Sequence, residues 1–368
     1  MINVTKTFLP QKDVYQSYLD RIWNSGWITN NGDLCQELEE KIAKFHGVEN
    51  VILTANGTHS LQLALKILNL RGEVITTPFS YIATSAAAVW ENLSPVFVDI
   101  DVEHLTIDEN KIEDAITEKT SAILATHVFG NPCNVEVIDR IAKKHNLKVI
   151  YDAAHCFGVE HKQQSIFNFG DISACSFHAT KIFHTAEGGA LFTKNLELHN
   201  KLAYSANFGH SGNYDYQGLG INAKMSELQA AMGLSIMPSI NEILLSRKKA
   251  VEIYESLLVF DRLSKMKIRE DTKWNYSYFP VIFESEYALL TCLAHLNEND
   301  IFPRRYFYPS LNKIEYLNGQ HMPISESIAE RILCLPLYHD LRHEEITIIC
   351  NVINKLVVNE SLTAHINF

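Results

Sequence analysis

Short apolar runs alternate with longer segments of helical spacing through the first two thirds of the chain. In two of these segments apolar residues recur three and four positions apart, which predicts helices with one apolar face each. The two faces comprise Leu61, Ala64, Leu65 and Leu68 in one helix and Val135, Ile138, Ile141 and Ala142 in the other. The predicted strands are Val51–Thr54, Glu73–Thr76, Val96–Asp99, Ala122–Thr126, Lys148–Asp152, Ile172–Phe177 and Ala190–Thr193. Such alternation is typical of βαβ units, so we expect an α/β fold with a large, mostly parallel sheet.

The pattern changes after Pro238, where a long segment of helical spacing begins with Ile240 and Ile243. A chain of 368 residues is also longer than one small domain needs. We therefore expect a large domain, with an N-terminal arm, over residues 1–238 and a small C-terminal α/β domain over residues 239–368.

Composition narrows the classes of function. The net charge of −11 and the lack of a long basic cluster argue against nucleic-acid binding. No apolar run reaches membrane-spanning length and the N-terminal residues do not resemble a signal peptide, so we expect a cytoplasmic protein without a membrane segment. The seven cysteines lack C-x-x-C spacing and no H-E-x-x-H occurs, so neither a disulfide framework nor a metal site is predicted.

Two side chains near the middle of the chain suggest a specific cofactor. Asp152 ends one predicted strand, and Lys181 follows the next strand, five residues after Ser176. Open α/β sheets bind ligands at the C-terminal ends of their strands. A lysine amine can condense with an aldehyde and an aspartate can hold a protonated pyridine nitrogen, which are the two partners that pyridoxal 5′-phosphate (PLP) requires. We therefore predict a PLP site in which Lys181 also moves the substrate proton.

A phosphate site and a stacking ring are predicted beside this pair. Gly57 and Thr58 lie between the first predicted strand and its helix, where the free N–H groups of a helix N-terminus favour an anion. Ser176 would add a hydroxyl group, and Tyr81, which follows the second strand, offers a ring face. Each residue alone has an ordinary structural explanation as a turn, helix cap, core aromatic or surface side chain. Their combination favours the cofactor site.

Several longer motifs are similar to those of the DegT/StrS-type family of PLP-dependent sugar-nucleotide aminotransferases. The most specific are Tyr151-Asp152-Ala153-Ala154-His155, Phe169-Gly170-Asp171, Ser176-Phe177-His178-Ala179-Thr180-Lys181, Glu187-Gly188-Gly189 and Gly220-Ile221-Asn222-Ala223-Lys224-Met225-Ser226-Glu227. The similarity extends over nearly the whole chain. It implies the PLP-dependent transferase fold type I, also called aspartate aminotransferase-like, and a homodimer with active sites at the subunit interface.

The resemblance also implies roles for individual residues. Lys181 matches the Schiff-base lysine and Asp152 the partner of the pyridine nitrogen, while Gly57, Thr58 and Ser176 match the phosphate ligands and Tyr81 the stacking ring. Asn222 matches a position that reaches the cofactor phosphate of the partner subunit. His155 matches a position beside the cofactor where many relatives carry glutamine. Lys224 departs from the family pattern, in which arginine is commoner. Because dehydratases of this family carry histidine in place of the Schiff-base lysine, Lys181 favours transamination.

The segment from Trp27 to Gly32 resembles family members that act at C4 of dTDP-4-keto-6-deoxyglucose. We therefore expect transfer of an amino group from L-glutamate to this sugar nucleotide, which gives dTDP-4-amino-4,6-dideoxy-D-glucose for a surface polysaccharide such as O-antigen. The alternatives are amination at C3 of a dTDP-3-keto-6-deoxyhexose, a UDP- or GDP-linked substrate, and a PLP-binding regulator without catalytic activity. Candidate substrate contacts are His184, His210, Arg304 and Tyr306, for which structural roles are equally good explanations.

Overall fold

The computed structural model describes residues 1–212 and 214–364. The helices are α1 (Lys12–Ser25), α2 (Asp33–His46), α3 (Gly57–Ile67), α4 (Ile82–Trp90), α5 (Val135–His145), α6 (Leu196–Ser205), α7 (Glu227–Ile236), α8 (Ile240–Leu257), α9 (Glu286–Glu298), α10 (Pro323–Arg331) and α11 (His343–Ala364). The strands are β1 (Ile2–Asn3), β2 (Val51–Thr54), β3 (Glu73–Thr76), β4 (Ser94–Phe97), β5 (Thr120–Thr126), β6 (Lys148–Asp152), β7 (Glu160–His161), β8 (Gln164–Ser165), β9 (Ile172–Ser176), β10 (Gly189–Phe192), β11 (Leu263–Lys265), β12 (Thr272–Lys273), β13 (Phe279–Phe283), β14 (Ile301–Phe302) and β15 (Ile332–Leu335).

A seven-stranded sheet in the order β2-β10-β9-β6-β5-β3-β4 forms the centre of the molecule. Strand β10 runs antiparallel to both of its neighbours, and the other adjacent pairs are parallel. The predicted α/β class with a mostly parallel sheet is therefore confirmed. The strand predicted at Val96–Asp99 lies two residues earlier, because Glu73 pairs with Ser94 and Thr76 with Phe97, so the regular register ends at Phe97.

The predicted helical faces lie against this sheet. Leu61, Ala64 and Leu65 of α3 are buried in a core with residues of the central strands on one side. Ile138 and Ile141 of α5 belong to the core on the other side. Since both faces are covered, the central strands are almost wholly apolar, and their polar residues concentrate at the strand ends.

A smaller sheet in the order β11-β13-β15 has its own core with α8, α9 and α11. Helix α8 connects the two units, since Ile240 packs in the large core while Val251 and Tyr254 pack in the small one. The division after residue 238 stays a prediction. The N-terminus adds a contact that the sequence analysis did not anticipate, because β1 pairs in parallel with β14.

By length and composition, one run of the described residues, Glu227–Leu257, resembles a membrane span. The run comprises α7 and α8. Helix α7 buries Ala230, Ala231 and Leu234 in the large core, which is the behaviour of a core helix in a globular domain. The run therefore gives no reason to expect a membrane protein.

Candidate active site

A cavity of about 280 Å³ lies at the C-terminal edge of the central sheet, where β6 ends at Asp152 and β9 ends at Ser176. Its wall gathers residues from distant parts of the chain, and both domains contribute. Among the lining residues are Asn56, Gly57, Thr58, Ser80, Tyr81, Asp152, His155, Ser176, His178, Lys181, Glu187, Tyr278, Tyr306 and Phe307. The structure thus brings together eight of the predicted site residues: Gly57, Thr58, Tyr81, Asp152, His155, Ser176, Lys181 and Tyr306.

Asp152 is a buried carboxylate, only 6% exposed, held by two hydrogen bonds. Thr84 Oγ1 donates to Oδ2 at 2.6 Å, and the Ala154 N–H donates to Oδ1 at 3.1 Å. Burial raises the pKa of Asp152, while these hydrogen bonds and the Lys181 amine oppose the rise. An anion so placed is suited to hold a cationic ring nitrogen that enters the cavity.

Thr84 is a supporting residue that the sequence analysis missed. Its hydroxyl lies 2.7 Å from Ser80 Oγ, which in turn lies 3.0 Å from Thr126 Oγ1. These three buried hydroxyl groups form a chain that ends on the Asp152 carboxylate. Thr84 lies in the first turn of α4, and Ser80 immediately precedes Tyr81, the N-cap residue of this helix.

The Lys181 side chain is half-buried and its amine faces the cavity. Burial lowers the pKa of Lys181, and the Asp152 carboxylate opposes this shift. A lowered pKa increases the fraction of neutral amine, which is the form that attacks an aldehyde and accepts a proton. The amine also lies 5.9 Å from the ring centroid of Tyr278, a residue of the C-terminal domain that no local pattern distinguished.

His155 is fixed in one protonation state and one tautomer. The Phe129 N–H donates to its Nδ1 at 3.1 Å, so the proton of the neutral ring resides on Nε2. Burial, followed by the charge of Lys181, holds the pKa of His155 well below its usual value. The His155 ring is nearly parallel to the rings of Phe129 and Phe307, whose centroids lie 6.1 and 6.0 Å away. His155 therefore offers an Nε2–H donor to a ligand rather than a charge.

Gly57 and Ser176 form a cradle at the N-terminus of α3. A Cβ atom at residue 57 would lie 2.9 Å from the Ser176 Cβ atom, closer than side chains tolerate, so glycine permits this approach of helix and strand. The Asn56 side chain caps the helix by accepting the His59 N–H at 2.8 Å. The free N–H groups of the first turn, with the hydroxyl groups of Thr58 and Ser176, suit a phosphate group. Tyr81, which is 60% exposed and precedes α4, lies in the same wall.

Four predicted site residues do not line this cavity. His184 is buried, its Nε2–H donates to the Phe8 carbonyl at 2.7 Å and its Nδ1 accepts the Ala186 N–H, so the backbone uses both ring nitrogens. His210 packs against the Tyr216 ring at 4.4 Å. The remaining two, Arg304 and Asn222, have exposed side chains, and Asn222 Oδ1 accepts a hydrogen bond from Lys224 at 2.7 Å.

Comparisons with known proteins agree with this geometry. The model of the DegT/DnrJ/EryC1/StrS aminotransferase family matches residues 11–354. A dTDP-4-amino-4,6-dideoxy-D-glucose transaminase of Shigella dysenteriae is 41% identical over 362 residues, which cover 96% of this chain and 99% of that protein. A transaminase of the same name from Escherichia coli is 40% identical, with 93% and 95% covered. The crystal structure of DesI in the presence of its TDP-sugar product is 29% identical, covers 100% of this chain and 96% of that chain, and superposes with a TM-score of 0.93.

Proposed function

The chain belongs to the DegT/DnrJ/EryC1/StrS aminotransferase family, and we propose that it transfers the amino group of L-glutamate to C4 of dTDP-4-keto-6-deoxy-D-glucose. The product is dTDP-4-amino-4,6-dideoxy-D-glucose, the sugar nucleotide after which the two bacterial relatives are named. The observation that carries the proposal is the meeting of Lys181 and Asp152 in one cavity of a fold type I aminotransferase. A role in surface polysaccharide synthesis such as O-antigen, and a cytoplasmic location, are further parts of the proposal.

PLP is the cofactor of this family, and when bound it stabilises the negative charge that forms on a substrate carbon as its proton leaves. The residues of the cavity fit this group. Asp152 would hold the ring nitrogen, while the cradle of Gly57, Thr58 and Ser176 would hold the phosphate. Tyr81 would cover one ring face, and the Nε2–H of His155 would donate to an oxygen of the ring.

Lys181 would serve each half of the reaction with the same amine. Its neutral Nζ accepts the proton from the α-carbon of L-glutamate, and the resulting ammonium group later donates a proton to C4 of the sugar. Burial lowers the pKa of Lys181, which increases the fraction of the neutral amine that accepts the proton. Because 2-oxoglutarate would leave before the sugar nucleotide binds, ping-pong kinetics are expected.

A homodimer is part of the proposal. Large apolar side chains near Asn222 are exposed in the single chain: Phe208 at 49%, Leu219 at 69% and Ile221 at 41%. A second copy of the chain would bury this surface and bring Asn222 and Lys224 toward the phosphate cradle of its partner. Lys224 would then supply a point charge rather than the paired donors of an arginine.

An absorbance and product assay tests the function. We expect the visible band of the PLP-loaded protein to bleach with L-glutamate and to return with dTDP-4-keto-6-deoxyglucose, and mass spectrometry to detect the amino sugar. Return of the band only with a 3-keto isomer, or only with a UDP- or GDP-linked sugar, would replace the proposed substrate by that one. A band that never bleaches with any amino donor would favour the regulator without catalytic activity.

Replacement of Gly57 by alanine is expected to weaken cofactor binding about tenfold, because the added Cβ atom presses on Ser176 and opens the phosphate cradle. Titration of the cofactor-free protein with PLP, followed by absorbance, measures the change. Gly47→Ala is the control, since the Cβ atom at residue 47 would meet nothing within 4 Å, while the positive φ of 60° there makes alanine unfavourable. The control should lower thermal stability and leave the affinity unchanged; equal affinities for both variants would contradict the cradle.

A further inference from the structure

Tyr278 lines the cavity and is the last residue of the segment 274–278, which we term the wall segment, just before β13. The Tyr278 side chain is buried and faces the Lys181 amine. The Tyr278 ring also meets His155 edge-on at 5.0 Å and Tyr306 edge-on at 5.4 Å between centroids. This ring therefore covers one side of the amine.

The wall segment is anchored to the large domain at several points. Asn275 Nδ2 donates to the carbonyl groups of His155 and Phe157 at 2.7 and 2.9 Å. The Trp274 indole N–H and the Ser277 hydroxyl both donate to the Phe129 carbonyl, at 2.8 and 2.6 Å. These bonds leave the main-chain carbonyl groups of the segment itself free to accept hydrogen bonds from elsewhere.

Arg247 of α8 occupies two of those carbonyl groups. Its Nε donates to the Tyr276 carbonyl at 2.9 Å and its Nη2 to the Ser277 carbonyl at 2.6 Å. Tyr276 has a φ of 55°, in the left-handed region that is unfavourable for a residue with a side chain. A two-pronged donor on these consecutive carbonyl groups holds the backbone in this conformation, immediately before Tyr278.

Arg247 is a buried cation, and its contacts with the wall segment account for its position. The side chain is only 6% exposed, and burial lowers its pKa to about 10. Within the described residues, the Arg247 side chain donates to main-chain carbonyl groups and not to a carboxylate. A buried cation without a carboxylate partner is unfavourable, so an aliphatic residue would serve a purely packing role better.

We propose that Arg247 is a positioning residue that fixes the wall segment, so that the Tyr278 ring covers the Lys181 amine and keeps water away from it. This inference deepens the proposed function and rests on it for its catalytic meaning. The titratable groups that act on Lys181 are Asp152, Cys175 and Tyr81 of the large domain and Tyr306 of the C-terminal part, and Lys181 in turn acts on His155. The test must therefore measure the amine itself.

Competitive acetylation of the cofactor-free protein, measured by mass spectrometry as a function of pH, gives the reactivity of the Lys181 amine independently of amino-group transfer. In Tyr278→Leu and Arg247→Met water reaches the amine, its pKa rises toward the usual value of a lysine, and acetylation near neutral pH slows about tenfold. Arg247→Lys, which retains the charge and part of the donor set, should slow acetylation by about threefold. If Arg247 acts through Tyr278, acetylation of Lys181 in the double variant Arg247→Met/Tyr278→Leu is no slower than in the slower of the two single variants.

The matched control is Arg331→Met. Arg331 also binds main-chain carbonyl groups, those of Ser327 and Phe283, but it lies outside the cavity wall. It should lower thermal stability and leave Lys181 acetylation unchanged. In the loaded enzyme, Arg247→Lys should lower kcat about threefold, because fewer molecules hold the neutral amine, with little change in KM for the sugar.

Unchanged acetylation in Arg247→Lys, or equal slowing in Arg331→Met, would overturn the proposal, as would additive effects in the double variant, since these would indicate a direct charge effect. If Arg247→Met does not fold, Arg247→Lys carries the test. Slow acetylation together with absent amination of every sugar tested would refute the proposed function while leaving the positioning role intact.

Discussion

Replacement of Lys181 by alanine is expected to lower kcat by about 10³-fold or more, because the same amine takes the proton from one substrate and returns it to the other. Product formation from L-glutamate and dTDP-4-keto-6-deoxyglucose, measured by chromatography, gives the rate. The variant should still bind PLP, since Asp152 and the phosphate cradle are unchanged. Addition of a small primary amine should restore part of the activity, because an amine of suitable pKa then occupies the vacated space.

The matched control for this variant is Lys143→Ala. Lys143 is an exposed lysine whose amine pairs with Asp139 at 2.7 Å on the surface of α5. Its loss should leave kcat within about twofold, since exposed ion pairs contribute little. Retention of more than about a tenth of the activity in Lys181→Ala would show that another group moves the proton.

Replacement of Asp152 by asparagine is expected to lower kcat/KM by roughly 10²-fold, or about 3 kcal/mol, and to weaken PLP binding. Asparagine keeps the size of the side chain and can still accept the Ala154 N–H, but it provides no charge for a cationic ring nitrogen. Steady-state kinetics and a PLP titration measure the two effects. The expected loss is smaller than that of Lys181→Ala because the group that moves the proton is still present.

The melting temperature of cofactor-free Asp152→Asn should not fall, although its activity and its PLP affinity do. This difference separates a binding role of Asp152 from a structural one. Burial raises the pKa of Asp152, so the folded cofactor-free protein holds this proton more tightly than the unfolded chain does. The contribution of this carboxyl group to the free energy of unfolding therefore falls as the pH rises from its pKa in the unfolded chain to its pKa in the folded protein. At neutral pH the buried charge lowers the free energy of unfolding. Asparagine lacks this cost, so the cofactor-free variant should melt at the same temperature or higher.

Asp99→Asn is the control for this argument. Asp99 is also buried, but it accepts the N–H groups of Ile324 and Ser325 at the start of α10, and none of these three residues lines the cavity. Its replacement should lower the melting temperature and leave PLP affinity unchanged. A melting temperature that falls in Asp152→Asn as it does in Asp99→Asn would assign Asp152 a structural role.

The central sheet could be predicted from the sequence because burial on both faces makes its strands nearly continuous apolar runs. Lys148–Asp152 stands out for this reason, and its predicted bounds match β6. The bounds of β4 were predicted two residues too late. The pairing with β3 determines where this strand begins and ends, and the apolar run carries no signal of that pairing. The two-residue strands β1 and β14 are too short to produce any period, so their pairing could not be predicted.

Some residues of the candidate site could likewise be predicted from local patterns, and others could not. Gly57, Asp152 and Lys181 each follow a strand of the sheet, and the ends of parallel strands converge at one edge whatever the rest of the fold does. Tyr278 and Arg247 come from the C-terminal part, and their place depends on how the second core docks on the first, which no local pattern encodes. Thr84 was within reach of prediction, because it lies only three residues after Tyr81, in the first turn of the helix that follows β3.

The pairing of β1 with β14 has a consequence for the order in which the chain assembles. Ile2 and Asn3 are synthesised long before their partners Ile301 and Phe302. The last strand of the central sheet ends at Phe192, so this sheet can form during translation while β1 is still without its partner. Pairing of β1 with β14 is therefore a step that follows the large core, and a tag placed next to Ile2 would lie beside a contact that forms late.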